Sequence, residues 1–237
     1  MAIGDRVVLV SGATGILGRV VVARFAAAGA RLGLVGTHLD RLTTAASDLH
    51  LDADRWVAGV GDLRDPASTR AAVKSVVERF GRVDVVLHLV GGWVGGTAVV
   101  DLDPKELTRM LDQHLWTTLN IVQAALPGMI ARGWGRVAAV GSRPALEASP
   151  KSASYAIAKS AEDTLLRTLA REVAGTGVTV NLVTVGTIDE KRERDSAPTP
   201  KNATWTTPEE IAAAFLYLCS DEAAAVNGAR LPLDQKG

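Results

Sequence analysis

The chain has 237 residues, 47% hydrophobic and 22% charged, a composition that suits one large α/β core or two small domains. Its 26 basic and 26 acidic residues balance, and the absence of a basic block argues against a nucleic-acid partner. The one cysteine, Cys219, cannot form an intramolecular disulfide, which indicates a reducing compartment. The sequence contains no run of 18 apolar residues and no signal segment, so we expect a cytoplasmic protein that does not bind membranes.

Short apolar runs alternate with longer helical patterns. The predicted strands are 6–10, 31–36, 55–60, 82–90, 135–141, 177–185 and 229–233, and the predicted helices are 16–29, 40–50, 66–80, 104–132, 152–175 and 208–219. The strands are almost continuously apolar, which is typical of a parallel sheet covered on both faces. Strand–helix alternation predicts right-handed βαβ units and hence an α/β fold, a Rossmann-type doubly wound parallel sheet of about seven strands. We predict a single domain over residues 1–237.

A glycine-rich turn, GATGILG (12–18), follows the first strand and opens the first helix. Gly12 allows a tight turn, Gly15 lets the backbone approach a pyrophosphate, and Gly18 lets the helix pack close to the sheet. The helix N-terminus then offers N–H groups to phosphates. The candidate cofactor-binding residues here are Gly12, Thr14, Gly15, Ile16, Leu17 and Gly18. The alternative is an ordinary strand-to-helix turn.

The end of the second strand carries no acidic residue, because Gly36, Thr37 and His38 stand there. In dinucleotide folds an acid at this place binds the adenosine ribose, and without it a 2′-phosphate is not repelled. Thr37 and His38, with Arg41 as a further candidate, can bind such a phosphate. The sequence therefore favours NADP over NAD; the alternative is that His38 and Arg41 are ordinary polar surface residues.

A polar stretch with two prolines, residues 189–207, separates the sixth strand from the last helix. A long loop in a compact domain is often a binding loop, so we predict a substrate lid. The alternative is a disordered surface excursion.

The segment YAIAK places Tyr155 and Lys159 four residues apart, on one face of a helix. Hydride transfer to a carbonyl builds negative charge on the oxygen, which needs a proton. A free tyrosine, with a pKa of about 10, can donate that proton, and an ammonium one helical turn away stabilises the phenolate. Ser142, thirteen residues before Tyr155 at the end of a strand, can donate a hydrogen bond to the substrate oxygen. The alternative is that Ser142 is only a hydroxyl in a turn, and that Tyr155 and Lys159 are only two polar residues on an exposed helix face.

These motifs resemble those of the short-chain dehydrogenase/reductase family. The resemblance runs nearly end to end, because it includes three further segments: GDLRD (61–65), VDVVLHLVGG (83–92) and VNLVTVGTID (180–189). Residues 207–234 are most similar to bacterial 3-oxoacyl-acyl-carrier-protein reductases. The resemblance implies an NAD(P)-dependent oxidoreductase that acts on a small-molecule carbonyl or secondary alcohol. It also implies a homotetramer or homodimer built through the helices at 104–132 and 152–175, and no metal site is predicted.

The resemblance also implies roles for single residues. Ser142, Tyr155 and Lys159 match the catalytic trio, and Lys159 also holds the cofactor ribose; Asp62 and Leu63 match the pair at the adenine, Gly91 lies beside the cofactor, and Ile188 backs the nicotinamide.

The chain departs from the family pattern at several positions. The glycine spacing is commoner in the extended, epimerase-like branch, whose long C-terminal domain has no counterpart here. His88 replaces an asparagine, and we expect it to be buried and hydrogen-bonded. His114 stands where an asparagine often holds a relay water; it either bonds that water, titrates itself near neutral pH, or only fills space. Glu190 replaces a threonine that touches the cofactor carboxamide. These departures motivate an alternative, a non-catalytic dinucleotide-binding sensor or interaction module.

Three further residues are candidates for the substrate pocket: Trp93, Trp205 and Arg143. They suit an apolar or aromatic carbonyl compound, and the alternative is that they only pack.

Overall fold

The computed structural model describes residues 3–233, without the side chains of residues 144 and 145. Within this range the chain forms one parallel sheet with the strand order β3-β2-β1-β4-β5-β6-β7. The strands are β1 (Val7–Ser11), β2 (Arg31–Gly36), β3 (Trp56–Val60), β4 (Val85–His88), β5 (Gly135–Ser142), β6 (Val178–Val185) and β7 (Arg230–Pro232). The predicted doubly wound sheet is confirmed, and each predicted strand is present: β2 has its predicted bounds, and the other strands have shifted ends.

Helices cover both faces of the sheet. They are α1 (Ile16–Ala27), α2 (Leu39–Asp48), α3 (Pro66–Phe80), α4 (Pro104–Leu111), α5 (Thr117–Arg132), α6 (Arg143–Leu146), α7 (Ala153–Glu172), α8 (Glu193–Ser196) and α9 (Pro208–Leu218). A 3₁₀ turn lies at Val99–Asp101. Over residues 3–233, no helix is long and apolar enough to cross a bilayer.

The helix predicted over 104–132 is not regular. A π-helical turn, Asp112–Trp116, stands between α4 and α5 and contains His114. Single π turns inside α-helices are frequent at functional sites.

The core lies in two layers because the strands alternate their side chains between the two faces. In β1, Val8 and Val10 face the layer that holds Phe25 of α1 and Phe215 of α9. Val7 and Leu9 face the opposite layer, which holds apolar residues of α3, α5 and α7. Both faces are buried, which explains the near-continuous apolar strands of the sequence.

Three of the described helices begin with side-chain caps, and in α4 the cap is Asp103, which accepts from the N–H of Lys105. Asp65 accepts hydrogen bonds from the N–H groups of Ala67 and Ser68 ahead of α3. Thr207 and Glu210 form a capping box at α9. By contrast, α1 begins at Gly15 with no side-chain cap and no acidic residue in its first turn. The N–H groups at the start of α1 are therefore left open to a ligand.

The described strands are all parallel, and their order along the chain proceeds outward in opposite directions from the boundary between β1 and β4. In doubly wound folds, ligands bind in the crevice beyond the carboxyl ends of the strands at such a point. The glycine turn after β1, Ser142 at the end of β5 and the segment after β6 all meet at this edge.

Candidate active site

A cavity of about 930 Å³ opens at the carboxyl edge of the sheet. Its volume lies in the range of small-molecule and cofactor sites. The structure brings eleven of the predicted site residues to its wall: Gly12, Gly15, Ile16, Leu17, Gly18, Gly91, His114, Ser142, Tyr155, Lys159 and Ile188.

The glycine turn has the close backbone packing that a phosphate site needs. Gly12 has a φ of +73°, which favours glycine, and its carbonyl accepts a hydrogen bond from the N–H of Gly15 at 3.1 Å. A Cβ on Gly18 would lie 2.1 Å from the carbonyl oxygen of Gly12. The turn and the uncapped start of α1 therefore fit a pyrophosphate group.

Five predicted cofactor residues lie outside the cavity wall. Thr14 is exposed in the glycine turn, and Thr37 and His38 are exposed after β2, where Thr37 Oγ1 and His38 Nδ1 share a hydrogen bond of 2.7 Å. Asp62 and Leu63 follow β3, the next strand of the sheet. The residues after β2 and β3 lie along the same edge of the sheet, on the side of β1 away from the catalytic trio. An extended dinucleotide requires binding residues along this edge.

Asp62 and Leu63 are each fixed by a specific contact. Arg64 Nη2 donates to Asp62 Oδ2 at 2.6 Å, and this hydrogen bond lowers the pKa of the Asp62 carboxyl. The carbonyl of Leu63 accepts a hydrogen bond of 2.8 Å from Asn120 Nδ2.

The predicted catalytic trio converges from two elements. Ser142 is buried at the last position of β5, opposite Val185 of β6. Tyr155 is half-buried in the first turn of α7, and Lys159 is buried one turn later. Lys159 Nζ donates to the carbonyl of Val140 at 2.7 Å.

His114 lies against Tyr155 as a neutral imidazole. The two rings meet edge to face at 5.6 Å, and His114 Nε2 donates to the carbonyl of Gly92 at 3.0 Å. Burial, aided by the charge of Lys159, lowers the pKa of His114 to about 4. Its Nδ1 is buried and has no hydrogen-bond partner among residues 3–233. These observations argue against titration of His114 near neutral pH and leave Nδ1 as a buried acceptor.

His88 is buried and hydrogen-bonded, as expected. Its Nδ1 shares a hydrogen bond of 2.8 Å with Ser11 Oγ, and its Nε2 shares one of 3.2 Å with Thr117 Oγ1. Burial is the main cause that lowers the pKa of His88 to about 3. The side chain thus ties β1, β4 and α5 together as a neutral group.

The two buried histidines predict a loss of stability in mild acid. Their pKa values fall from 6.5 to about 3 and about 4 on folding, so the unfolded chain binds protons that the folded chain does not. Full stability is present above pH 6.5 and is lost as the pH falls towards the folded values. We expect each histidine to contribute about 1.4 kcal/mol per pH unit to that loss.

Urea denaturation of the wild type and of His88→Asn between pH 7.5 and 5 measures this effect. The free energy of unfolding should fall less steeply with acidification in His88→Asn. Equal slopes in the two proteins would show that His88 is not held neutral by the fold.

A buried acid, Glu162 of α7, was not predicted from the sequence. Its side chain is 1% exposed, and its carboxylate forms an ion pair with Lys159. Thr118 of α5 contacts the other carboxylate oxygen at 3.0 Å. A signal was available in the sequence, because a residue three positions after Lys159 lies on the same helical face.

The predicted lid, residues 189–207, is anchored at its base. Asp189 caps α8 by accepting from the N–H groups of Glu193 and Arg194, and Arg194 pairs with Glu210 at 2.9 Å. Lys201 and Trp205 of this segment reach the cavity wall.

Of the other pocket candidates, Trp93 lines the cavity while remaining 65% exposed, and Glu190 lines it as well. Arg143 is not part of that wall and lies 3.9 Å from Glu147.

Residues 12–235 match the family model described as Enoyl-(Acyl carrier protein) reductase. The chain belongs to the short-chain dehydrogenase/reductase family. As a member of this family it is an enzyme, and the predicted NAD(P)-dependent oxidoreductase is confirmed.

Several relatives in the family are similar over nearly their whole length. A 3alpha-hydroxysteroid dehydrogenase of Mediterraneibacter gnavus is 29% identical over 99% of this chain and 97% of its own. A D-beta-hydroxybutyrate dehydrogenase of Rhizobium meliloti is 27% identical over 95% and 96%. The structure of L-sorbose reductase from Gluconobacter frateurii, complexed with NADPH and L-sorbose, is 25% identical, with a TM-score of 0.86 over 98% and 96% of the two chains.

Proposed function

We propose that this short-chain dehydrogenase/reductase interconverts a small-molecule carbonyl compound and its secondary alcohol, with Tyr155 as the acid/base. The observation that carries the proposal is the convergence of Ser142, Tyr155 and Lys159 on the cavity that the glycine turn also lines. When bound, the nicotinamide cofactor supplies or accepts the hydride.

The chemistry of the side chains follows from their positions. In reduction, Tyr155 donates its hydroxyl proton to the substrate oxygen, and in oxidation its phenolate takes that proton back. The ammonium of Lys159, one turn along α7, favours the phenolate and offers donors to ribose hydroxyls. Ser142 donates a hydrogen bond that orients the substrate oxygen.

His114 is proposed to assist the proton supply as an acceptor. The buried Nδ1 of a neutral imidazole can accept a hydrogen bond from a water molecule near Tyr155, although it cannot itself donate a proton.

NADP is the cofactor that we propose. The end of β2 carries no carboxylate that would repel a 2′-phosphate, and the exposed Thr37 and His38 offer it hydrogen bonds. The relative from Gluconobacter frateurii, with its bound NADPH, supports a nicotinamide cofactor for the family site.

An acid placed at Gly36 tests this cofactor preference. A Cβ there would meet Leu42 Cδ2 at 3.3 Å, and that contact is with the flexible end of a side chain. We expect Gly36→Asp to weaken NADPH binding by at least about tenfold, or ~1.4 kcal/mol, while NADH binding is kept or improved. Fluorescence titration with both cofactors measures the effect, and Gly36→Ala is the uncharged control. Equal losses for the two cofactors would contradict a 2′-phosphate site at the end of β2.

The substrate that we propose is a largely apolar or aromatic carbonyl compound. Trp93 and Trp205 line the cavity together with Leu89, Val90 and Ile188. The related dehydrogenases are named for a hydroxysteroid and for hydroxybutyrate. Residues 189–207 are proposed to close over such a substrate, since Trp205 belongs to both the lid and the cavity wall.

The experiment that tests the function has two stages. Titration with NADH and NADPH is followed by turnover assays with a panel of ketones, aldehydes and secondary alcohols. We expect tighter binding of NADPH and turnover of at least one apolar carbonyl compound. Cofactor binding without turnover of any panel member would favour a sensor or interaction module instead.

We also propose a homotetramer or homodimer assembled through α5 and α7. Trp116 beside α5 and Ile157 on α7 are large apolar side chains, and each is 47% exposed. Light scattering coupled to size exclusion measures the assembly, and a monomer at micromolar concentration would contradict it.

A further inference from the structure

The ammonium of Lys159 lies in a buried environment with two partners. Its side chain is 7% exposed and contacts the carbonyl of Val140 and the carboxylate of Glu162, which is 1% exposed. A carbonyl offers only partial compensation for the lost hydration of an ammonium, so the carboxylate is the stronger partner.

Glu162 is in turn fixed by α5. Thr118 Oγ1 lies 3.0 Å from Glu162 Oε1 and donates to the carbonyl of His114 at 2.6 Å. A hydroxyl has one hydrogen, and here two acceptors compete for it. The carboxylate therefore depends mainly on Lys159 for its stabilisation, as Lys159 depends on it.

The other ionisable groups around the pair do not supply Lys159 with a second negative charge. His88 on β4 and His114 on the π turn are neutral at pH 7, since burial lowers their pKa values to about 3 and about 4. Asp163, the next residue on α7, forms ion pairs with Arg230 of β7 and Arg167 of α7. Among the described residues, Glu162 is the single anion paired with Lys159.

We propose that Glu162 is a positioning residue, the counter-ion that keeps Lys159 protonated and directed at the site. The proposal rests on the proposed function only for its effect on turnover, because the charge state of Lys159 can be measured without a substrate. Burial raises the pKa of Glu162, while the charge and the hydrogen bond of the Lys159 ammonium oppose that rise. The charge that Glu162 preserves is the one that favours the Tyr155 phenolate.

Lysine NMR tests the counter-ion role directly. The protein is labelled with ¹³C,¹⁵N-lysine, and the Lys159 signal is assigned by its loss in Lys159→Arg. In Glu162→Gln, which keeps the side-chain shape, we expect the titration midpoint of Lys159 to fall by at least about one pH unit. Asp163→Asn removes the neighbouring buried carboxylate and is the matched control; it should leave that midpoint unchanged. A midpoint that is unchanged or raised in Glu162→Gln would overturn the proposal.

A pH profile of alcohol oxidation supplies the second readout. Where Lys159 in Glu162→Gln loses its proton below the pH at which Tyr155 titrates, the phenolate loses its ammonium partner, and the pH of half-maximal kcat should rise. Glu162→Asp should recover part of that shift. A shift towards lower pH would show that Glu162 only attenuates the field of Lys159, which contradicts the proposed role.

The outcomes separate the two proposals. A lower Lys159 midpoint together with full turnover by Tyr155→Phe would retain the counter-ion role and reject the proposed function. Thermal denaturation checks the folding of each variant, and where Glu162→Gln does not fold, Glu162→Asp gives a smaller shift of the same sign. An unchanged Lys159 titration in every folded variant overturns the counter-ion role alone.

Discussion

Tyr155→Phe is expected to lower kcat by about 10²- to 10⁴-fold, the usual contribution of a general acid/base. The variant removes one hydroxyl and keeps the ring that packs edge to face against His114. The cavity shape is therefore preserved. The dissociation constant of the cofactor should stay within about twofold of the wild type, a difference of about 0.4 kcal/mol in binding free energy. Steady-state kinetics and cofactor titration on the same preparation measure both quantities.

The chain offers a matched control for this substitution. It has two tyrosines, and the other, Tyr217, lies on α9 and is 37% exposed, outside the cavity wall. Tyr217→Phe should leave kcat and cofactor binding unchanged. Turnover by Tyr155→Phe at more than a tenth of the wild-type rate would exclude Tyr155 as the main proton donor.

Gly18→Ala and Gly15→Ala are expected to fail in different ways, although both add one methyl group to the glycine turn. At Gly18 the new Cβ would lie 2.1 Å from the carbonyl oxygen of Gly12 and 2.9 Å from Cα of Ala13. Both contacts are with backbone, so α1 must move away from the turn. We expect a loss of about 1–3 kcal/mol in the free energy of unfolding, as for overpacked cores, together with loss of cofactor binding.

At Gly15 the added methyl group has room in the fold. Its nearest neighbour would be the carbonyl oxygen of Gly12 at 3.5 Å, and the φ of −73° suits alanine. The free energy of unfolding should be unchanged or raised by up to about 1 kcal/mol. The methyl group projects where a pyrophosphate would approach, so cofactor affinity should fall by at least about tenfold. Urea denaturation and cofactor titration measure the two effects; a Gly15→Ala protein that binds the cofactor normally would contradict the phosphate site.

The order of elements was predictable because each strand is buried on both faces. In β1, neighbouring residues such as Val8 and Leu9 enter opposite core layers, so the run must be apolar throughout. The boundaries were less predictable, since the strand ends depend on pairing with neighbours. Ser142, for example, belongs to β5 because it pairs with Val185 of β6, beyond the predicted end at residue 141.

The π turn at Asp112–Trp116 could not be read from the sequence. Its residues follow the periodicity of the surrounding helix. The change in hydrogen-bonding pattern accompanies contacts of His114 with residues that are distant in the sequence. His114 reaches the carbonyl of Gly92, 22 residues away, and packs against Tyr155 of another helix. Such contacts are decided by tertiary packing and leave no local pattern.

The sequence by itself determined the fold class, the glycine turn and the pairing of Tyr155 with Lys159, because each follows from local spacing and periodicity. Only the tertiary structure decided the charges around that pair. Burial by distant elements makes His88 and His114 neutral and removes the Lys159–Glu162 ion pair of α7 from water. The charge of a side chain depends on its desolvation and on its neighbours in space, and both are fixed when the sheet, α5 and α7 come together.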